Sequence, residues 1–207
     1  MLELLTGSGL AMAAGLNAYV PLVGLGLLSR FTGLLALPEG WQWLESTPAL
    51  VILAVLLLTE VVADKVPVVD SANDALQTLV RPAAGGVVFA AGSASETAAV
   101  TDPGTLAQDW RWVPVLLGVL LALAIHLTKA TARPLVNTAT AGTGAPVVSA
   151  VEDASSVALV LVSVLLPALV ALVAVVVLAL LGLAARRRLT ARADRRLRQV
   201  RGGPPPA

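Results

Sequence analysis

The stretch from Pro48 to Asp74, "PALVILAVLLLTEVVADKVPVVDSAND", decides how the chain is read. Sixteen residues of almost unbroken hydrophobe run into a segment holding Asp64, Lys65, Asp70 and Asp74, with Pro67 and Asn73 among them. Such a run approaches the roughly 20 apolar residues needed to cross a hydrocarbon core of about 30 Å. A lone charge at the centre of that core costs about 2.5–3.5 kcal/mol on insertion scales. Charges at this position must therefore snorkel at the interface, pair with one another, or line a polar path.

Composition sets the context. Of 207 residues 57% are hydrophobic and 13% charged, with mean hydropathy +0.86, whereas a soluble domain carries about 25% charged residues. The chain reads as an integral protein of the cell (inner) membrane. Its start, "MLELLTGSGLAMAAG", lacks a basic leader and carries Glu3, unlike a cleaved secretory signal. With no cysteine and a single histidine, His126, zinc and redox-thiol chemistry are excluded, and no metal or cofactor is expected.

Charge is distributed unevenly. Arg186, Arg187, Arg188, Arg192, Arg195, Arg196, Arg198 and Arg201 crowd the end of the chain, and residues 1–185 hold six basic residues against twelve carboxylates. An arginine cluster after a span marks the cytoplasmic side. Residues 186–207 thus read as a basic cytoplasmic tail, disordered at its "GGPPPA" end, that anchors topology or meets anionic lipid headgroups. Nucleic acid is not an expected partner, because no aromatic residue interleaves with these arginines.

Four spans are expected within a single transmembrane domain, residues 1–185: Gly9–Leu28, which carries Asn17 and Pro21; Pro48 to about Val66; Trp112–Thr128; and Val157–Ala185. The last is too long to cross upright and is expected to kink at Pro167 or to tilt. With the tail inside, four spans put the N-terminus inside as well. Residues 75–92 and 134–153, rich in Gly, Pro and small residues, read as interrupted or re-entrant segments, tolerable at membrane depth only where protein or water covers their backbone. A further crossing near 75–92 remains open.

All four tryptophans fall in two copies of one pattern, "WQW" at Trp41 and Trp43 and "WRW" at Trp110 and Trp112. Each is followed by a proline, a hydrophobic run and a polar heptapeptide, "PVVDSAN" from Pro67 and "PLVNTAT" from Pro134. The halves, about 41–73 and 110–140, would form an inverted repeat, in which matching interrupted segments point to a binding site. The alternative is coincidence, since tryptophan favours interfaces.

The charges also pattern. At about 100° per residue, Glu60, Asp64, Asp70 and Asp74 fall within an arc of about 120°, and His126, Lys129, Arg133 and Asn137 within about 80°. One copy presents an acidic stripe and the other a basic one. Glu152 and Asp153 stand before the last span, where carboxylates favour a helix N-terminus or could meet a hard cation. Asn17 reads as an interhelical hydrogen bonder, and Ala11 with Gly15 as a small-residue pair for close packing. No P-loop, GxSxG or HExxH occurs, so an enzyme is not expected.

"GLNAYVPLVGLGLLSRF", "DKVPVVDSANDALQTLVRPAAGG" and "TKATARPLVNT" followed by "VVSAVED" resemble the bacterial membrane family catalogued as domain of unknown function 4126. The likeness runs from about Thr6 to Leu180. Asp64, Lys65, Pro67, Asp70, Ser71, Asp74, Arg81, Pro82 and Gly85 match one block, and Lys129, Arg133, Asn137, Glu152 and Asp153 the other. Between Asn137 and Val148 the chain has "TATAGTGAP" where the family pattern carries Ser-Pro. The resemblance implies no activity.

The sequence therefore predicts an all-α polytopic membrane protein with four transmembrane helices, one or two interrupted segments and an inverted repeat. Its expected polar centre is Asp64, Lys65, Asp70, Asn73 and Asp74 against Lys129, Arg133, Asn137, Glu152 and Asp153, supported by Asn17, Glu60 and Arg81. Two functions fit: a small transporter or channel for an ion or small polar solute, or a non-transporting scaffold or assembly factor that uses the charges for internal pairing and the tail for lipid or partner contact.

Overall fold

The computed structural model describes residues 1–65, 67–101, 110 and 112–176, with side chains described for all of these except 67–72. The arginine tail, with its expected orientation and lipid contact, and the Asp70 side chain lie outside the described residues. Seven α-helices are described: α1 Leu2–Leu16, α2 Tyr19–Phe31, α3 Thr47–Ala63, α4 Pro67–Ser93, α5 Trp112–Ala139, α6 Ala145–Leu165 and α7 Pro167–Val176. A 3₁₀ helix, Glu39–Glu45, precedes α3, and two-residue strands β1 (Leu35–Ala36) and β2 (Glu96–Thr97) pair antiparallel, Leu35 opposite Thr97. Met1–Val170 is one compact unit and Ala171–Ala207 a second, described only as far as Val176.

The expectation of four transmembrane helices is corrected. Among the described residues two helices are long and apolar enough to cross a membrane, Trp112–Ala139 and Ala145–Leu165. They become three if the 3₁₀ helix and α3, bent by 61° from one another, form one span. The expected first span is broken at Asn17, whose backbone is extended (φ −144°, ψ 121°), leaving helices of 15 and 13 residues. An Asn side chain can replace the lost helical bonds: its Oδ1 accepts from the N–H groups of Tyr19 and Val20 and caps α2. The expected last span breaks at Leu166, immediately before Pro167, where the ring disfavours a helical predecessor.

The two expected interruptions also differ. Residues 75–92 lie within the continuous helix α4, with Pro82 inside it. Residues 134–153 finish α5, turn at Ala141 (φ 51°) and Gly142 (φ 85°), and begin α6, so an interruption is present there and falls at this turn. The turn needs left-handed backbone at two successive residues, which Gly142 adopts without penalty.

Within Met1–Val170, α1 is the central element, buried from Thr6 to Gly15 save Ser8. Its small residues admit a neighbour on each side. A Cβ added to Gly7 would meet the Phe89 carbonyl of α4 at 2.8 Å, one on Gly15 would meet the Ala122 carbonyl of α5 at 2.7 Å, and one on Gly9 would collide with Ser163 of α6. Helices α4 and α5 touch through Gly85 and Gly118, where a Cβ on Gly85 would meet the Gly118 carbonyl at 2.7 Å. The apolar surface faces outward. Val51, Ile52, Val55, Leu58 and Val62 of α3, Leu116, Leu117 and Leu120 of α5, and Val147, Val151 and Leu161 of α6 are exposed. Apolar helices with bare aliphatic faces associate with a bilayer, and the chain is membrane-associated.

Candidate functional site

The corner between α3 and α4 starts the site. Helix α3 ends at Asp64, whose N–H bonds the Glu60 carbonyl, and α4 begins three residues later at Pro67, a first-turn position that loses no hydrogen bond to proline. The chain thereby folds Glu60 and Asp64 back against the face of α4 that carries Asn73, Asp74, Gln77, Thr78 and Arg81, spaced at helical repeats. Helix α5 supplies His126, Lys129 and Arg133 at intervals of three and four, and α6 supplies Ser149, Glu152, Asp153 and Ser156 in the same way.

These side chains form one buried ionic network. Arg81, with no exposed surface, donates from Nε (3.3 Å) and Nη2 (2.8 Å) to the single oxygen Glu60 Oε1, and its Nη2 lies 3.5 Å from Asp64 Oδ2. Asp64 Oδ2 also lies 3.3 Å from Lys129 Nζ and 3.2 Å from Arg133 Nη2, while its Oδ1 accepts from Asn73 at 2.7 Å. Glu152 Oε2 closes the other side, 2.9 Å from Lys129 and 2.6 Å from Arg133. Asp74 sits farther out, 3.8 Å from Arg81 and 4.0 Å from Arg133.

The break in the first span belongs to this network. Lys129 Nζ donates to the carbonyl of Leu16, the last residue of α1, at 3.1 Å, so an ammonium lies at the negative end of that helix. Ser156 Oγ donates to Ala13 O at 3.0 Å, a second bond to a carbonyl that already accepts from the Asn17 N–H. Asn17 Nδ2 donates to Asp153 Oδ1 at 2.9 Å. The unwound residue thus caps α2 with its oxygen and ties α1 to α6 with its nitrogen.

His126 extends the network. Arginine can only donate, so the 3.1 Å contact from Arg81 Nη1 makes His126 Nδ1 an acceptor. The imidazole is then neutral with its proton on Nε2, which donates to Thr78 Oγ1 at 3.0 Å.

Of the residues expected at the polar centre, Asp64, Asn73, Asp74, Lys129, Arg133, Glu152, Glu60 and Arg81 meet in the ionic network, and Asp153 and Asn17 join it at the α1 break. Lys65 is exposed and donates back to Val61 O of its own helix at 2.9 Å. Asn137 accepts through its backbone carbonyl from Gly142 N–H at 2.8 Å, in the hairpin turn. The residues that sequence reasoning left out of the centre are His126, Thr78 and Ser156. His126 was visible in the basic stripe, and Thr78 shares the helical face of Asp74 and Arg81. Ser156 carried no signal beyond its spacing from Glu152. Among the described residues no group of His, Asp or Glu is arranged to hold a metal ion.

A family model described as Domain of unknown function (DUF4126) matches residues 4–187. No curated protein and no solved structure matches the chain.

Proposed function

The chain belongs to the DUF4126 family, and from that membership, which brings no activity with it, we propose that it is a small multi-pass transporter or channel for an ion or small polar solute, not an enzyme. In this reading the protein sits in the inner membrane with its arginine tail cytoplasmic and in contact with anionic lipid. Its two tryptophan-headed halves form an inverted repeat, and its polar centre is the buried network of Asp64, Lys129, Arg133 and Glu152.

One observation carries the reading. A helix is interrupted at Asn17, and the carbonyl end of its first half, Leu16, meets a buried charged cluster through Lys129. Discontinuous helices in transporters use such ends and unwound carbonyls to hold ions and polar groups within the membrane, and irregular backbone is tolerated at depth only where protein or a polar cavity covers it.

The test is flux into proteoliposomes holding the full-length chain, across a panel of monovalent ions, protons and small polar solutes. Wild type is expected to carry one of these, and Arg133→Gln to lose at least tenfold in rate while remaining inserted. No flux across the panel would overturn the reading. A scaffold then follows, favoured by the sharing of Asp64 among three cations on two helices, which locks α3, α4 and α5 together.

A further inference from the structure

Helix α6 measures the paths of α1 and α2. At the end of α1 Asn17 bonds Asp153, farther back Ala13 accepts from Ser156, and Gly9 lies against Ser163, where a Cβ would collide. Residue numbers fall on one helix as they rise on the other, so α1 runs antiparallel to α6. Along α2 the sense reverses. The chain sets out from Asn17 at Asp153, and Gly24 lies against Val160, which a Cβ there would meet at 2.9 Å. Numbers now rise together, so α2 runs parallel to α6 and retraces the path of α1. Beyond these contacts, from Gly9 back to Leu2 and from Gly24 on to Phe31, the two arms continue by the same length, about 10 Å.

Neither arm is long enough to cross a bilayer. Helix α1 has 15 residues and α2 has 13, about 22 and 20 Å of rise against a hydrocarbon core of about 30 Å. Helix α6, with 21 residues, matches that thickness. It also runs on past the tip, since Asp153 to Ala145 adds about 12 Å. The tip at Asn17 therefore stops within the length that α6 covers. Broken backbone at such a depth is tolerated only where its polar groups are covered, and here they are. Asn17 is buried, its N–H bonds Ala13 O, and its side chain bonds Tyr19, Val20 and Asp153. The Leu16 carbonyl accepts from Lys129.

We infer that residues 2–31 form a re-entrant hairpin, which enters the membrane and leaves it at one face and carries Asn17 in to the ionic network. The residues before α1 and after α2 share that face, and the turn at Ala141 and Gly142 lies at the other. The run Gly9–Leu28 is apolar enough for a span and makes no crossing, because Asn17 turns the chain back. Gly9 and Gly24 let both arms pack against the same neighbour, α6. The inference goes beyond the transport reading and does not rest on it, since a hairpin of this kind would brace a scaffold equally well.

The chain contains no cysteine, so single cysteines report its sidedness. Leu2→Cys, Gly33→Cys and Thr143→Cys stand at exposed positions, and a Cβ on Gly33 meets nothing within 4 Å. Each full-length variant is labelled with a membrane-impermeant maleimide in spheroplasts and in inverted membrane vesicles. Leu2→Cys and Gly33→Cys are expected to label at least tenfold more in the same preparation, and Thr143→Cys at least tenfold more in the other. An epitope tag placed before Met1 or at Gly33, read by antibody in the same two preparations, replaces a cysteine that fails to label. Leu2 and Gly33 on opposite faces, or all three sites on one face, would overturn the inference. A spin label at Leu27→Cys, an exposed position of α2, tests depth. It should be quenched by oxygen dissolved in lipid and spared by a water-soluble nickel chelate, and the reverse would mean a hairpin lying on the membrane and would overturn the inference as well. Same-face labelling without flux would keep this inference and sink the transport reading, and flux with opposite-face labelling would do the reverse.

Discussion

The two tryptophan-headed halves of the chain meet the same problem, a polar heptapeptide beginning with proline after an apolar helix, and solve it differently. In the first half the helix stops at Asp64 and a new one starts at Pro67. In the second, α5 runs through Pro134 to Ala139 without a break. The consequence lies in where the charges end up. On the single helix α5, His126, Lys129 and Arg133 are strung along about 10 Å of one face. At the corner, Glu60 and Asp64 come from one helix and Asp74 and Arg81 from the next, so several charges converge on a point. A row of cations can be served by few anions only if those anions stand at such a corner, and Asp64 Oδ2 touches three cations within 3.5 Å.

Removing the corner anion is therefore the strongest way to break the comparison. Asp64→Ala removes the one carboxylate oxygen that Arg81, Lys129 and Arg133 share. Breaking a buried pair by deleting one member costs about 3–5 kcal/mol, and thermal or denaturant unfolding of the detergent-solubilised protein should show a loss of that size. A change below about 1 kcal/mol, the scale of an exposed pair, would mean that the network is solvated.

Helices α4 and α5 are held face to face by a close approach, and this is the next place to press. Gly118 of α5 lies against the Gly85 carbonyl of α4, nearer than any side chain allows. Gly118→Val should force the helices apart and cost about 1–3 kcal/mol as overpacking, with Arg81 and His126 drawn out of register. The network is expected to fail in proportion, so the same variant should expose His126, detectable as a pH titration of its ring signals. Unchanged stability and an untitrated ring would mean that α4 and α5 are not locked at this point.

How much of this was legible depended on what each residue had to satisfy. Charges in an apolar chain must find partners, so the spacing of Glu60, Asp64 and Asp74, and of Lys129 and Arg133, announced two complementary stripes, and the fold brings them together. Lys65 lay in the same stretch but not on the same face, and it turns back to its own helix end. The breaks were harder. Gly-Gly and Pro82 in residues 75–92 looked like interruptions, yet they lie within a helix, and Gly85 is small because α5 passes close by. Small residues read alike whether they break a helix or admit a neighbour, and only packing decides between them. Conversely Asn17 lay in a run apolar enough to read as one span. Its preference for helix caps was the available clue, and hydropathy averaging conceals it.

Proline supplies the gentlest probe of the difference between the halves. Pro134 lies inside α5 and cannot donate the hydrogen bond its position calls for. If the rod is continuous because the surrounding packing holds it so, restoring an N–H there relieves a local defect and leaves the corner untouched. Pro134→Ala should then raise the unfolding midpoint slightly, by an amount corresponding to about 1 kcal/mol or less, well under the full penalty of a helix-interior proline of about 3 kcal/mol. Stability depending on Asp64 should be unchanged, since residues 126–133 precede the substitution. A marked loss would mean instead that the proline bends α5 into place for Lys129 and Arg133. The second half would then use its proline as the first uses its corner, by shape.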